Sequence, residues 1–152
     1  MQFVIAREDP RAPDVAGLIR DLDRLMVALY PADSNHLVAP EALSGPETVF
    51  LVAREDGAAA GCGAFRRIGP GHGELKRMWV RPAWRGRGLG RDILAELERH
   101  ARAAGIDRLS LETGNQQPEA IGLYRSAGYR DCAPFGAYTP DPLSLFMTKE
   151  IA

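Results

Sequence analysis

No CxxC pair, no long apolar run and no excess charge of either sign mark this chain, and each absence removes a class of function. Its two cysteines, Cys62 and Cys132, lie far apart in strand-like segments, so neither a zinc site nor a dithiol redox motif is indicated and both are expected as packed, buried thiols. No stretch approaches the ~18 apolar residues of a membrane span, and the opening MQFVIARED lacks the basic and apolar regions of a signal peptide. A cytoplasmic location with no membrane partner is the expectation. With 19 basic and 20 acidic residues the formal charge is −1, which leaves no global electrostatic case for nucleic acid. Repeats, low-complexity tracts and linkers are lacking too, and 152 residues, 45% of them hydrophobic, suffice for one core. A single domain over 1–152 is expected.

What is present is a regular alternation of short elements. Gln2 to Arg7 reads as a half-buried strand, and Val15, Leu18, Ile19, Leu22, Leu25, Met26 and Leu29 draw one apolar stripe down a helix from Pro13 to Leu29, with Arg20, Asp21, Asp23 and Arg24 on its charged face. The polar stretch Tyr30 to His36 is a loop, followed by a short helical turn at 40–43, and Tyr30, Asn35 and His36 serve there either as turn and capping groups or as substrate contacts. Thr48 to Arg54 and Ala58 to Arg67 flank Glu55-Asp56-Gly57, a hairpin signal. After the break Gly69 to Gly73, which makes His72 a turn residue, comes a strand Glu74 to Val80. Alternation along it puts Glu74, Lys76, Met78 and Val80 on one face and Leu75, Arg77 and Trp79 on the other. A helix from Leu89 to Ala104, with Glu98 and Arg102 paired at i, i+4, a strand Arg108 to Thr113, a helix Pro118 to Ala127 and strands Tyr129 to Ala133 and Leu143 to Ile151 complete the order. This is α/β with a mixed sheet, each helical crossover making a parallel neighbour.

The chain is organised around Glu74 to Leu94. Arg85-Gly86-Arg87-Gly88-Leu89-Gly90 joins a strand to a helix, and the first helical turn offers unpaired N–H groups and a positive dipole end that grip phosphate. Its glycines expose backbone and its guanidiniums supply charge. The bland alternative is a flexible basic turn. A dinucleotide fingerprint fails, because Gly86 and Gly88 would require Gly or Ala where Arg91 stands, and no G-x-x-x-x-G-K-[ST] loop occurs.

Arg85-x-x-Gly88-x-Gly90 after Val80-Arg81-Pro82 resembles the acyl-CoA signature of the GNAT superfamily of N-acyltransferases. Ala120-Ile-Gly-Leu-Tyr124-Arg-Ser-Ala-Gly128-Tyr129 is similar to that family's A-x-x-L-Y-x-x-x-G-[FY] segment. The runs ELKRMWV, LETG and FGAY-x-x-D-P look like a bacterial branch of small single-domain acetyltransferases. The resemblance implies a GNAT-like, mixed, mostly antiparallel central sheet of six to seven strands flanked by helices, and acetyl transfer from acetyl-CoA to a primary amine of a small molecule or peptide by direct attack in a ternary complex. An acyl-CoA-binding or sensing module without turnover is the alternative. A homodimer is left open.

By the same resemblance the CoA pyrophosphate sits on the backbone of Arg87, Gly88, Leu89 and Gly90, with Arg85, Gly86 and Arg81 adjacent. The pantetheine arm lies along Met78, Trp79 and Val80, helped by Asn115 or Gln117. Tyr124 protonates the departing thiolate, or else simply packs on the sheet. Glu74 deprotonates the amine, with Glu112 and a water chain as competitors. The acceptor pocket combines Tyr30, His36, Glu112, Phe135 and Tyr138. A relay through Cys132 is disfavoured because nothing near it lowers its pKa.

Overall fold

A computed structural model describes residues 3–34 and 43–152. Asn35, His36 and most of the turn expected at 40–43 lie outside the described residues. The elements are β1 (Val4–Arg7), α1 (Pro13–Leu29), β2 (Thr48–Glu55), β3 (Ala58–Gly69), β4 (His72–Val80), α2 (Leu89–Ala103), β5 (Arg108–Gly114), α3 (Pro118–Ser126), β6 (Arg130–Asp131) and β7 (Ser144–Glu150), with single 3-10 turns at Ala32–Ser34 and Pro82–Trp84. The seven strands form one sheet in the order β1-β2-β3-β4-β5-β7-β6.

Proline at the first position opens α1 where its missing N–H costs nothing. The β2–β3 turn puts Asp56 at φ +51 and Gly57 at φ +82, the two left-handed residues of a hairpin turn whose twist matches its strands. Val15, Leu18 and Ile19 of α1 pack with Phe50, Val52, Cys62 and Ala64 on one face of the sheet. Ile93, Leu94 and Leu97 of α2 pack with Leu51, Phe65, Leu75, Leu109 and Met147 on the other. Farther along the α1 stripe, Leu25, Met26 and Leu29 are only half-buried and line cavities instead of core.

Several expectations are corrected. Among the described strands only β4 and β5 are parallel neighbours: β1 and β2 pair antiparallel although α1 lies between them, and β7 separates β5 from β6. The long return after α1 brings the chain back beside β1 in the opposite sense. Asp21 and Asp23 do not simply face water, because they bridge to Arg81 (3.2 Å) and to Arg77. Glu98 is buried and is bound by Tyr129 Oη at 2.9 Å and Lys149 Nζ at 3.0 Å, while Arg102 donates to the Ile151 carbonyl. His72 is not a turn residue: it opens β4 and bonds Ser110 Oγ at 2.7 Å. Cys132 is half-buried and falls just beyond β6.

β4 carries the departure that shapes the site. Its ladder with β3 pairs Cys62 with Trp79 and Ala64 with Lys76, so Arg77 and Met78 together oppose Gly63. Arg77 takes φ +58 at this bulge, a left-handed conformation costing about 1–2 kcal/mol in a non-glycine residue. The Arg77 carbonyl accepts from Cys62 Sγ at 3.2 Å and its guanidinium is anchored on Asp23, which hold the bulge in place. Strict alternation therefore fails: Leu75, Met78 and Val80 lean toward the α2 core, whereas Trp79 packs on the α1 side. Pairing of β4 with β5 ends at Glu74 opposite Ser110, and the two strands splay beyond it.

At the far end of the splay, Gly114 touches Tyr30. A methyl group there would overlap the Tyr30 ring and hydroxyl, and that hydroxyl accepts from the Gln116 N–H at 3.0 Å. Gly114→Ala is expected to lower stability by about 1–3 kcal/mol through overpacking, measured by urea denaturation; an unchanged midpoint would mean that Tyr30 swings aside freely.

Candidate active site

The turn before α2 leaves its backbone open, as an anion site requires. Gly86 and Gly88 adopt φ +78 and +79, and Gly88 caps α2 with no side chain on its first-turn N–H groups. An added Cβ at either glycine would meet no protein atom within 4 Å, so both open onto free space. Arg85 lies over the Trp79 ring, 4.8 Å from its centroid, with Nε donating to the Val80 carbonyl at 2.9 Å. Gly90 is where α3 closes on α2, since a Cβ there would stand 3.2 Å from Leu123.

Two arginines do not join this cradle. Arg87 turns away to Glu55 (3.1 Å from Nη1) and over the Phe3 ring, and its hydrogen bond holds the Glu55 carboxyl below the usual range. Arg81 is taken by Asp21 and the Ala59 carbonyl. Arg91 does face the site, with Nη2 on Ser126 Oγ at 2.8 Å. Its sequence position, one past the glycines and in the first helical turn, is the signal that could have found it.

From the cradle a cavity of about 520 Å³ runs between β4 and the start of α3, past Met78, Trp79, Val80, Leu25 and Leu29 to Tyr124. Because β5 has left the ladder, this side of β4 is an unpaired strand edge, suited to an extended ligand that bonds like an added strand. Trp79 Nε1 is buried with no partner among the described residues. A second cavity of about 110 Å³ lies deeper in the splay, with Leu22, Met26, Tyr30, Lys76, Glu112 and Tyr138 among its walls. Met78, Gln117, Ala120 and Tyr124 line both cavities, so the two meet there.

Tyr124 is buried, with its ring 5.9 Å from that of Tyr129, and no described residue hydrogen-bonds its hydroxyl. Burial, then the charge of Glu112, pushes its pKa above the ordinary phenol value. The Glu112 carboxylate accepts from Ser144 Oγ at 2.6 Å, and its field also reaches Tyr30 and Tyr138. It is the anionic centre of the inner cavity.

Glu74 stands elsewhere. Buried at 3% exposure, it accepts from Tyr138 Oη and pairs with Lys76 Nζ at 3.3 Å and Arg66 Nη2 at 3.5 Å, without lining either cavity. Asn115 is also outside both: its N–H and Nδ2 go to the Leu143 and Pro142 carbonyls, and Gln117 takes the position at the junction. Phe135 packs against Tyr138, Phe146 and His72 as a support for the wall rather than part of it. Tyr30, Glu112 and Tyr138 do come together in the inner cavity, along with Lys76, Arg77 and Met26, which sequence reasoning did not place there. Among the described residues no group of histidine, cysteine or acidic side chains could hold a metal ion, and no helix is long and apolar enough to cross a membrane.

An uncapped helix start, an open strand edge and a smaller chamber beyond them are the arrangement that a transferase taking its acyl group from a nucleotide-bearing carrier would need. Comparison with known proteins bears this out. The Acetyltransferase (GNAT) family matches residues 15–129. The IAA acetyltransferase of Azospirillum brasilense is 51% identical over 97% of both chains. The uncharacterized N-acetyltransferase YsnE of Bacillus subtilis is 36% identical over 95% of this chain and 97% of its own. A crystal structure from Klebsiella pneumoniae, assigned as an acyl-CoA N-acyltransferase, superposes with a TM-score of 0.85 at 36% identity, covering 99% of each chain. The chain belongs to the GNAT family of acetyltransferases, which draw on acetyl-CoA, and the uncapped α2 start and open β4 edge fit that donor.

Proposed function

We propose that this protein acetylates a primary amine by direct attack in a ternary complex, with the acceptor in the inner cavity, Glu112 as the base and Tyr124 as the acid. The observation that carries the reading is the meeting of the two cavities at Tyr124. Acetyl-CoA supplies an activated thioester. The chain's part is to hold the donor on the α2 start, along Met78 to Val80, and to bring the amine against it. As the C–N bond forms and the C–S bond breaks, the amine proton passes to Glu112 and the Tyr124 hydroxyl donates toward the departing sulfur. Glu74 then positions Tyr138 and Lys76 instead of acting as base, since its oxygens are occupied by those groups and Arg66.

A cysteine relay has little in its favour, because burial pushes the Cys62 thiol up to about 12 and raises that of Cys132. Both thiols are unpaired, which suits the reducing cytoplasm. The second reading, a sensing module, has the same cradle and differs only in turnover. Release of free thiol from acetyl-CoA with a panel of amines, and mass detection of the product, separates them: binding without release leaves only the module.

Glu112→Gln is expected to slow transfer about 10²-fold near neutral pH. The deficit should shrink as pH climbs toward the amine's own pKa, where solvent supplies free amine. A deficit of equal size at every pH would remove Glu112 from the role of base.

A further inference from the structure

The inner cavity has two charged walls. Glu112 comes from β5, and Lys76 comes from β4 across the splay. The Lys76 side chain is only 11% exposed. Its ammonium has three N–H donors. One reaches Tyr138 Oη at 2.9 Å and another Glu74 Oε2 at 3.3 Å, and the third has no partner among the described residues. Glu74 must also serve Arg66 at 3.5 Å, so on this wall two cations share one carboxylate. A buried ammonium with an unmet donor is costly unless a ligand completes it.

We propose that the acceptor is a small free amino acid, its amine placed at Glu112 and its carboxylate bound by Lys76. This rests on the acetyltransferase reading above. Among the other walls, Leu22, Met26, Leu75 and Leu111 are aliphatic and suit an apolar side chain, and Arg77, the second cation there, is anchored on Asp23. A volume of about 110 Å³ admits on the order of ten water-sized groups, enough for an amino acid. A peptide N-terminus also brings no carboxylate next to its amine, so it would leave the Lys76 donor unmet. Sites built around a buried polar partner reject ligands that lack it strongly.

The test compares an aliphatic α-amino acid, its amide and its decarboxylated amine in acetyl-CoA-dependent thiol release. The wild type is expected to favour the acid by tenfold or more in kcat/KM over both analogues. Lys76→Met should bring that ratio close to one, and Lys76→Arg should retain a preference for the acid. Amide or amine used as well as the acid by the wild type would overturn the inference, as would a folded Lys76→Met that keeps the preference. If Lys76→Met does not fold, judged by circular dichroism, the wild-type comparison decides alone. The underlying reading fails separately, on absence of acetyl-CoA binding in calorimetry or of thiol release with every amine, and that result sinks both.

Discussion

Gly88→Val abolishes acetyl-CoA binding while leaving a folded protein. Gly88 sits at φ +79 as the cap of α2, in front of the N–H groups that would take the pyrophosphate. A β-branched residue pays about 1–2 kcal/mol for that conformation, which in a chain of this size lowers Tm by roughly 2–8 °C. No protein atom lies within 4 Å of the added Cβ, so no core packing is lost. The new methyl groups instead project into the cavity, where they hold phosphate off the backbone. Affinity measured by calorimetry is expected to fall by more than about 10²-fold, since several charge-assisted hydrogen bonds are lost together. Gly88→Ala, which carries the same strain with less bulk, should fall between. If Gly88→Val binds acetyl-CoA as the wild type does, the phosphates do not rest on this turn.

The strength of that prediction comes from a stretch whose local chemistry was readable. Gly86 and Gly88 report left-handed backbone directly, and α1 begins and ends at Pro13 and Leu29 as its apolar stripe predicts. Asp56-Gly57 forms its hairpin turn for the same reason: the backbone angle is a property of the residue itself. Features that depend on distant partners were not readable. Nothing in ELKRMWV marks Arg77 as the bulged residue, because the bulge forms opposite Gly63 on β3 and is held by Cys62 and Asp23. One inserted residue reverses the faces of Met78, Trp79 and Val80. Likewise Glu74 and Glu112 are both carboxylates on neighbouring strands, and only the end of the β4–β5 ladder at Glu74 leaves one sealed by Tyr138, Lys76 and Arg66 and the other facing the chamber. Arg87 looked like a phosphate ligand until Glu55, from the β2–β3 hairpin, claimed it. Local dihedral preferences and helical periodicity are encoded within a few residues, whereas ion pairing and strand splay are decided by which segments meet.

Tyr124→Phe is the sharpest test of the chemistry, because it removes one oxygen and changes little else. The ring keeps its place against Tyr129 and beside Ala120, and the hydroxyl has no described partner whose loss would unsettle the fold. Burial and the nearby Glu112 charge raise the phenol's pKa, so it stays protonated throughout the neutral range and can serve as an acid but not as a base. A departing thiolate, with a parent thiol near the ~8.5 of cysteine, is in water too weak a base to take that proton fully. Beside the buried Tyr124 the thiolate would lose water as well, which raises its own affinity for the proton and brings the two groups closer in strength. Tyr124 therefore helps most as charge builds on sulfur, and its removal should lower kcat by on the order of 10²-fold while leaving acetyl-CoA affinity within about twofold, since ground-state binding rests on the cradle and the β4 edge. No alkaline limb of the wild-type profile below pH ~10 should vanish with the hydroxyl, because a phenol raised above its ordinary value does not titrate there. Transfer by Tyr124→Phe at the wild-type rate from pH 6 to 9 would take the tyrosine out of the acid's role and leave the sulfur to be protonated by water.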